Sequence, residues 1–426
     1  MAPGDGCDVV MTRTDEARAR SVRSALLAAV ARADIRKVVT FAGCEVGYRG
    51  NHPPAIAWAE DYLGAYLRFS ADERSHAAPT ASGLVDPTLH RALLDALDGA
   101  VGEPSRTHAS SVLRPGPRWD WRRSDRFRLD PGLTVHVDAD TGAITVSDRT
   151  SGSFAFVTSE ADADARLEPV RLIRELLTHQ LERSGYVVEH AGAVLLEDVG
   201  ILVCGPRGAG KTTLICALLE HEGARFISND RIFVRGDAST VAWPWSIRVG
   251  LGTCSGSVAL RGWLEPGRAF AHPQKSWDPA GGFDAAWRRR PVTLAGAGVN
   301  EDKVELTASE LATVMAGGVC ASAKLGLLVF PQLDPAAATP ELARVGPEDA
   351  AELLRRERLG IVADVHSDWL DLGLESRRPD APAADAELGR VADALPAVAL
   401  RMRDARDAAA AVAQCALAEN RLARRG

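Results

Sequence analysis

The sequence predicts an α/β protein, with an additional α+β region in its first 160 residues. Apolar runs without strict polar–apolar alternation follow one another between residues 186 and 245, which is typical of strands covered on both faces. In the first 160 residues, helical apolar spacing alternates with short β-like runs and one clear hairpin. The chain therefore combines an α/β core with a differently patterned N-terminal region.

The composition is that of a globular protein with two or three domains. Apolar residues make up 46% and charged residues 25% of the 426 residues, which excludes general disorder. The formal net charge is −7, and only five of the 50 basic residues are lysine. Because this charge balance argues against a basic surface that binds phosphate backbones, we expect no nucleic-acid partner.

Cysteine spacing and the absence of long apolar runs bear on the cellular compartment. The seven cysteines form no C-x-x-C pair and have no histidine at zinc-ligand spacing, so we expect reduced thiols. The first residues show no basic start followed by an apolar run, and no stretch approaches the roughly 18 apolar residues of a spanning helix. We therefore expect a cytoplasmic protein without a membrane partner.

Four segments predict the secondary structure of the N-terminal region, 1–160. Helical spacing at 14–33 precedes a β-like run at 37–42. Alternating residues at 133–146 predict a hairpin around an Asp-Ala-Asp-Thr-Gly turn, and 154–158 adds a strand. An Asp-rich linker ends this region. We interpret the region 1–160 as a substrate-recognition or lid domain.

The central region, 161–372, carries the strongest strand pattern. An amphipathic helix at 167–183 leads into it. Strands are predicted at 186–191, 193–198, 200–205, 224–228, 231–236, 240–245 and 324–330, with helices at 212–221 and 347–358. The last region, 373–426, is predicted as a linker and a C-terminal helical tail.

A complete phosphate-loop motif lies inside the central region. Residues 205–212 match G-x-x-x-x-G-K-[ST] between a predicted strand and a predicted helix, which is the context that the motif requires. Backbone N–H groups of such a P-loop bind phosphate oxygens, and glycine permits their close approach. We expect Lys211 to bridge the β- and γ-phosphates of ATP and the Thr212 hydroxyl to bind Mg²⁺. The predicted nucleotide-binding residues are Gly205, Pro206, Arg207, Gly208, Ala209, Gly210, Lys211, Thr212 and Thr213.

An acidic residue follows the next predicted strand, about twenty residues after the loop. Asn229 and Asp230 end the strand at 224–228. Asp230 is interpreted either as an Mg²⁺ ligand beside Thr212 or as the general base for an acceptor hydroxyl. The alternative is a turn residue without a chemical role.

Three further residues are weaker candidates on pattern alone. Arg248 follows another predicted strand, and Arg207 lies inside the loop, so either guanidinium is a candidate contact for the transferring phosphate. Both arginines are more often structural or exposed. His190 ends the strand at 186–191, and a lone histidine is more often structural than catalytic.

The segment 190–234 resembles the catalytic domain of the HPr kinase/phosphorylase family and its kinase relatives. The likeness lies in H-A-G-A-V, in G-I-L-V-C-G-P-R-G-A-G-K-T-T-L and in A-R-F-I-S-N-D-R-I-F-V. It implies a nucleotide-binding core of HPr kinase / PEP carboxykinase-like type, with ATP and Mg²⁺, and a homo-oligomer. It also places His190 at the active-site histidine of that family and Asn229-Asp230 at its acidic pair.

Asn229 departs from the family pattern. Its amide can offer a carbonyl to Mg²⁺ or a hydrogen bond to substrate, but it cannot take a proton. Asp230 is then expected to carry the remaining carboxylate role. The predicted catalytic residues are Asp230, His190, Lys211 and Arg248, and the predicted metal ligands are Thr212, Asp230 and Asn229.

Three functions follow as hypotheses. The first is a kinase that transfers the γ-phosphate of ATP to a hydroxyl of a small molecule, such as a sugar, nucleoside or natural-product intermediate. The second keeps the same site and gives it a Ser or Thr acceptor on a protein or peptide. The third is a binding module that senses nucleotide and has no acceptor. True HPr kinase activity is put in doubt by Asn229.

Overall fold

The computed structural model of the chain describes residues 13–71, 79–108, 121–270, 274, 282, 284, 303–358, 370, 372 and 382–424. Within these residues the protein is a mixed α/β structure with two large mixed sheets, which confirms the α/β class at that level. No helix of the described part is both long and apolar enough to cross a membrane. The described cysteines are all free.

The first large sheet belongs to the N-terminal part of the chain. Its strands are β1 Ile35–Phe41, β2 Cys44–Gly50, β3 Arg68–Ala71, β4 Thr80–Val85, β5 Glu103–His108, β6 Trp121–Asp130, β7 Leu133–Asp138, β8 Ile144–Asp148 and β9 Ser153–Thr158. Among the described residues they lie in the order β3-β1-β2-β4-β9-β8-β7-β6-β5. β4 pairs in parallel with β2 and β9, and the other pairs are antiparallel. The predicted hairpin is confirmed as β7 and β8.

Helices cover this sheet on both faces. They are α1 Arg13–Ala31, α2 Pro53–Leu63, α3 Pro87–Leu97 and α4 Ala163–Arg183. α1 and α3 pack together over an apolar cluster that includes Val22, Leu93 and Val135. α4 packs on the opposite face against β2, β4 and β9, with α2 beside it.

Helix α4 also contacts the second half of the molecule, so it lies between two layers. The Arg174 guanidinium stacks on the Trp245 ring at 4.1 Å from its centroid. The sequence predicts an amphipathic helix here, whereas residues 167–178 are buried on all sides. Buried ion pairs make this possible: Arg171 contacts Glu168 at 3.4 Å, and Arg174 contacts Glu175 at 3.2 Å.

The second large sheet carries the candidate site. Its strands are β10 Val187–Glu189, β11 Ala191–Leu196, β12 Val199–Cys204, β13 Arg225–Ser228, β14 Ile232–Val234, β15 Ser239–Ala242, β18 Ser322–Leu333, β19 Glu341–Val345 and β20 Ala397–Met402. A small separate sheet pairs β16 Ile247–Gly250 with β17 Lys303–Leu306. The helices are α5 Lys211–Glu222, α6 Leu251–Gly256, α7 Val258–Trp263, α8 Ala308–Val314, α9 Pro347–Glu357, α10 Pro382–Ala394 and α11 Ala405–Ala423.

Strand order in the second sheet places β12 in its interior, between β18 and β11. The order is β10-β14-β15-β18-β12-β11-β13, and β20 pairs with β18 and β19. β18 runs parallel to β12 and β20, whereas the other pairs are antiparallel. Every residue of β11 and β12 is buried, as the apolar runs predict.

Two details differ from the sequence prediction. The strand predicted at 324–330 continues to Leu333, because Pro331 lies opposite Leu400 in the parallel β18–β20 ladder and does not end the pairing. The predicted C-terminal helix is present as α11, but it is not a detached tail. β20 belongs to the sheet and α11 packs against α5, because apolar residues such as Val398 and Val412 are buried there.

Candidate functional site

A glycine-rich loop connects β12 to α5, so the strand and the helix predicted to flank it are both present. Three of its glycines have positive φ: Gly205 at 156°, Gly208 at 86° and Gly210 at 97°. Backbone of this kind favours glycine, because other side chains rarely adopt it. Pro206, Arg207 and Gly208 are exposed, so the tip of the loop faces solvent.

Packing as well as backbone conformation requires glycine at position 210. A Cβ atom there would lie 2.6 Å from Met402 Cε and 2.9 Å from Leu333 Cγ. The loop therefore rests on the ends of β18 and β20. Gly210 caps α5 without a side-chain hydrogen bond, which leaves the first N–H groups of the helix available to an anion.

Lys211, the first residue of α5, turns back over the loop. Its Nζ donates hydrogen bonds to Gly205 O at 2.5 Å and to Pro206 O at 3.3 Å. The residue is only 8% exposed. Burial lowers the pKa of Lys211, and the negative charges of Glu357 and Asp230 oppose this shift. The ammonium group is thus held at the loop by carbonyl oxygens that an anion can replace.

The two threonines after Lys211 have different partners. Thr212 Oγ1 donates to Asn229 Oδ1 at 3.2 Å, so the end of β13 lies beside the start of α5. Thr213 Oγ1 shares a hydrogen bond of 2.8 Å with Thr253 Oγ1 on α6. Asn229 is 7% exposed, and its Nδ2 finds no acceptor among the described residues. One amide donor is therefore buried next to the threonine hydroxyl without a partner in the described part of the chain.

Asp230 leaves β13 in an uncommon backbone conformation. Its φ is +72°, a region in which aspartate is tolerated better than most residues. Half of its side chain is exposed, and its Oδ1 lies 3.6 Å from His190 Nε2. Burial would raise the pKa of Asp230, but the interaction with His190 and the charges of Arg231 and Lys303 outweigh it, so the pKa is lowered.

His190 connects β10 to β11 and contacts a residue that sequence reasoning missed. Its Nδ1 lies 2.9 Å from Oε2 of Glu357, the last residue of α9. The interactions with Asp230 and then Glu357 raise the pKa of His190, whereas burial and Lys211 lower it. Glu357 is 167 residues away in the chain, and nothing in its own segment distinguishes it from the other acidic residues of α9.

A second buried carboxyl lies immediately before the histidine. Glu189 is fully buried, and neither of its carboxyl oxygens has a hydrogen-bond partner among the described residues. Its backbone forms an isolated β-bridge with Arg358. Burial, and then the charge of Glu357, raises the pKa of Glu189 well above the ordinary range. The protonated form is therefore favoured at this position.

We expect replacement of Glu189 by glutamine to stabilise the protein at neutral pH but not in acid. The wild-type carboxyl loses its proton at lower pH in the unfolded chain than in the folded one, because its folded pKa is raised. The carboxyl contributes its full stabilisation at a pH below its pKa in the unfolded chain. This contribution is lost as the pH rises toward its pKa in the folded protein. Glutamine does not titrate, so we expect the variant to be more stable than wild type at neutral pH.

Urea unfolding of wild type and Glu189→Gln, at a pH below the ordinary carboxyl pKa and at neutral pH, checks this expectation. Glu352→Gln is the matched control, since Glu352 lies on the exposed side of α9 and pairs with Arg356. A glutamine variant that is less stable than wild type at neutral pH, by a margin that shrinks in acid, would show that Glu189 is ionised and needed as a charge.

Among the described contacts, Arg248 does not join this group. Arg248 Nε donates to Glu305 Oε1 at 2.8 Å, directly across the β16–β17 pair. None of the described contacts of Arg248 involves His190, Lys211 or Asp230. Arg207 is exposed at the tip of the loop. The structure thus groups His190, Lys211, Thr212, Asn229 and Asp230, whereas Arg248 is engaged elsewhere.

The N-terminal layer, formed by the first sheet and its helices, contacts the strand that precedes Asn229 and Asp230. Tyr66 Oη donates a hydrogen bond of 2.7 Å to the carbonyl oxygen of Ile227, two residues before Asn229. Tyr62 Oη accepts a hydrogen bond of 3.0 Å from the backbone N–H of Ser246. These contacts place α2 and the segment after it against the strand that carries the candidate acidic residue.

Comparison with known proteins does not identify the chain. No protein-family model matches it, and no curated protein is significantly similar to it. Within the described residues, no three His, Cys, Asp or Glu side chains form a group that could hold a metal ion. The predicted metal ligands Thr212, Asn229 and Asp230 lie beside one another, since Thr212 contacts Asn229, and Asp230 follows Asn229 in the chain.

Proposed function

We propose that the protein is an ATP-dependent phosphotransferase that moves the γ-phosphate of ATP to a hydroxyl group of a small molecule. The observation that carries this proposal is the glycine loop with Lys211 and Thr212, beside which His190, Asn229 and Asp230 lie together. The resemblance of the segment 190–234 to HPr kinase-type enzymes supports the same reading.

The loop suits a nucleotide phosphate. Apart from its two chain neighbours, no described residue has an atom within 4 Å of the position that a Cβ would take on Gly208, so the loop is open at this point. Exposed backbone at the tip and the start of α5 would bind phosphate oxygens, with Lys211 as the counter-charge. Thr212, Asn229 and Asp230 offer the oxygen atoms that Mg²⁺ prefers. ATP supplies the phosphoryl group, and Mg²⁺ neutralises part of its charge.

The residues of the chain would then act mainly by position and charge. Lys211 stabilises negative charge that spreads over the phosphoryl oxygens. Asp230, half exposed and ionised, is available to accept the hydrogen bond of an acceptor hydroxyl. His190 Nε2 lies 3.6 Å from the Asp230 carboxylate. Asn229 offers to a phosphate or acceptor oxygen the amide N–H that has no acceptor among the described residues. Asp230 remains either this base or a metal ligand.

A small-molecule acceptor is favoured because the N-terminal layer reaches the candidate site. Tyr66 bonds directly to the backbone of β13, so this layer is placed to recognise an acceptor that enters beside Asp230. A peptide acceptor is the second candidate, and a specific observation favours it too. β3 and β5 each have one strand partner among the described residues, which leaves open edges that an extended peptide could pair with.

Transfer of labelled phosphate from γ-labelled ATP tests the proposal. Wild type is incubated with Mg²⁺ and separate pools of sugars, nucleosides and peptides, and the labelled product is isolated from each. Label on one pool that requires Lys211 and Asp230 supports a kinase and names the class of acceptor. Tight ATP binding without label on any pool would reject the kinase and leave a nucleotide-sensing module.

A further inference from the structure

Glu357 holds His190 by two separate hydrogen bonds. Its side-chain Oε2 lies 2.9 Å from the imidazole Nδ1, and its backbone carbonyl oxygen accepts the His190 N–H at 3.0 Å. The neighbouring residues repeat the contact, because Glu189 and Arg358 form a β-bridge. The carboxyl end of α9 is therefore attached to the connection between β10 and β11 at the histidine itself.

The first of these bonds assigns the two ring nitrogens. Carboxylates face both ring nitrogens, but only the 2.9 Å contact at Nδ1 is within hydrogen-bond distance, so we assign the proton of the neutral imidazole to Nδ1. The other nitrogen, Nε2, then faces Asp230 at 3.6 Å. The Glu357 side chain is 15% exposed and that of Asp230 is 50% exposed, so the buried carboxylate lies behind the ring and the open one in front.

We propose that Glu357 is a positioning residue, which fixes the ring of His190 with its Nδ1 protonated and with its Nε2 directed at Asp230. The effect of Glu357 on the rate of phosphate transfer rests on the phosphotransferase function proposed above. Among the described residues, Asp230 and Glu357 are the two carboxylates that contact His190. A carboxylate behind a working histidine fixes both the tautomer and the orientation of the ring.

The ring assignment can be tested without any activity. Long-range proton–nitrogen NMR of histidine-labelled protein distinguishes the tautomers at alkaline pH, where imidazoles are neutral. His190→Gln identifies the signal of His190. We expect the Nδ1–H form in wild type and in Glu352→Ala, and its loss in Glu357→Ala. Glu357→Gln is expected to lie between them, because its amide oxygen can still accept the bond. The Nε2–H form in wild type would overturn the proposal.

Kinetics then test the effect on phosphate transfer. Glu357→Ala is expected to lower kcat by about 10- to 100-fold, which is the usual cost of losing such a partner, while KM for ATP stays within about twofold. Glu357→Gln should recover part of the loss, and Glu352→Ala should match wild type. Unchanged kcat in Glu357→Ala would overturn the positioning role. If wild type transfers no phosphate, the proposed function fails and the tautomer alone decides the role of Glu357.

Discussion

Replacing Lys211 by alanine is expected to reduce phosphate transfer by about 10³-fold, the largest effect of any single substitution considered. The ammonium group is held at the loop by Gly205 O and Pro206 O, and burial strengthens its interaction with a bound anion. Its removal would leave a bound phosphoryl group without the ammonium charge of Lys211. Transfer from γ-labelled ATP, measured at saturating acceptor, gives the magnitude.

Lys324 provides the matched control for this substitution. It is an exposed lysine whose Nζ contacts Asp237 at 3.1 Å, and it lies outside the candidate site. Lys324→Ala should transfer phosphate as wild type does, and ATP should stabilise it equally against heat. If Lys211→Ala retains transfer, the loop does not bind the reacting phosphate and the proposed function is wrong.

Replacing Asp230 by asparagine is expected to cost about 10²- to 10³-fold in kcat. Asparagine keeps the shape of the side chain and tolerates the positive φ of this position, so the fold should be retained. It removes the carboxylate that faces His190 and that would bind either Mg²⁺ or the acceptor hydroxyl. The measurement is steady-state transfer together with a thermal unfolding curve.

A comparison of Mg²⁺ dependence separates the two roles of Asp230. If it is a metal ligand, Asp230→Asn should need more Mg²⁺ and recover part of its rate at high concentration. If it is the general base, the loss should persist at every Mg²⁺ concentration. Asp237→Asn is the control, since Asp237 forms an exposed pair with Arg235. Equal rates for Asp230→Asn and wild type would remove Asp230 from the catalytic machinery.

Local sequence pattern was enough to predict the elements around the loop. The apolar runs of β11 and β12 are buried throughout, and the helix predicted at 212–221 is present as α5 with one added residue at each end. Loop chemistry, strand burial and helix periodicity all depend on residues close together in the chain, which is why one sequence suffices.

Contacts between distant segments could not be predicted in the same way. Glu357 meets His190 only because α9 ends against the β10–β11 connection, and no local pattern marks that pairing. β20 lies in a segment rich in alanine, a composition typical of a helical tail. Its strand conformation depends on pairing with β18, which is distant in the chain. The charged residues of α4 predict an amphipathic helix. In the structure they are paired within the helix instead of facing water.

The position of β20 has a consequence for the order in which the protein is made. Met402 lies beneath Gly210, and α11 packs on α5, so the floor of the glycine loop comes from residues synthesised almost two hundred positions later. Chains emerge from the ribosome with their N-terminal part first. A nascent chain therefore holds its glycine loop without the β20 part of this floor until β20 appears, and products of premature termination that end before β20 lack it.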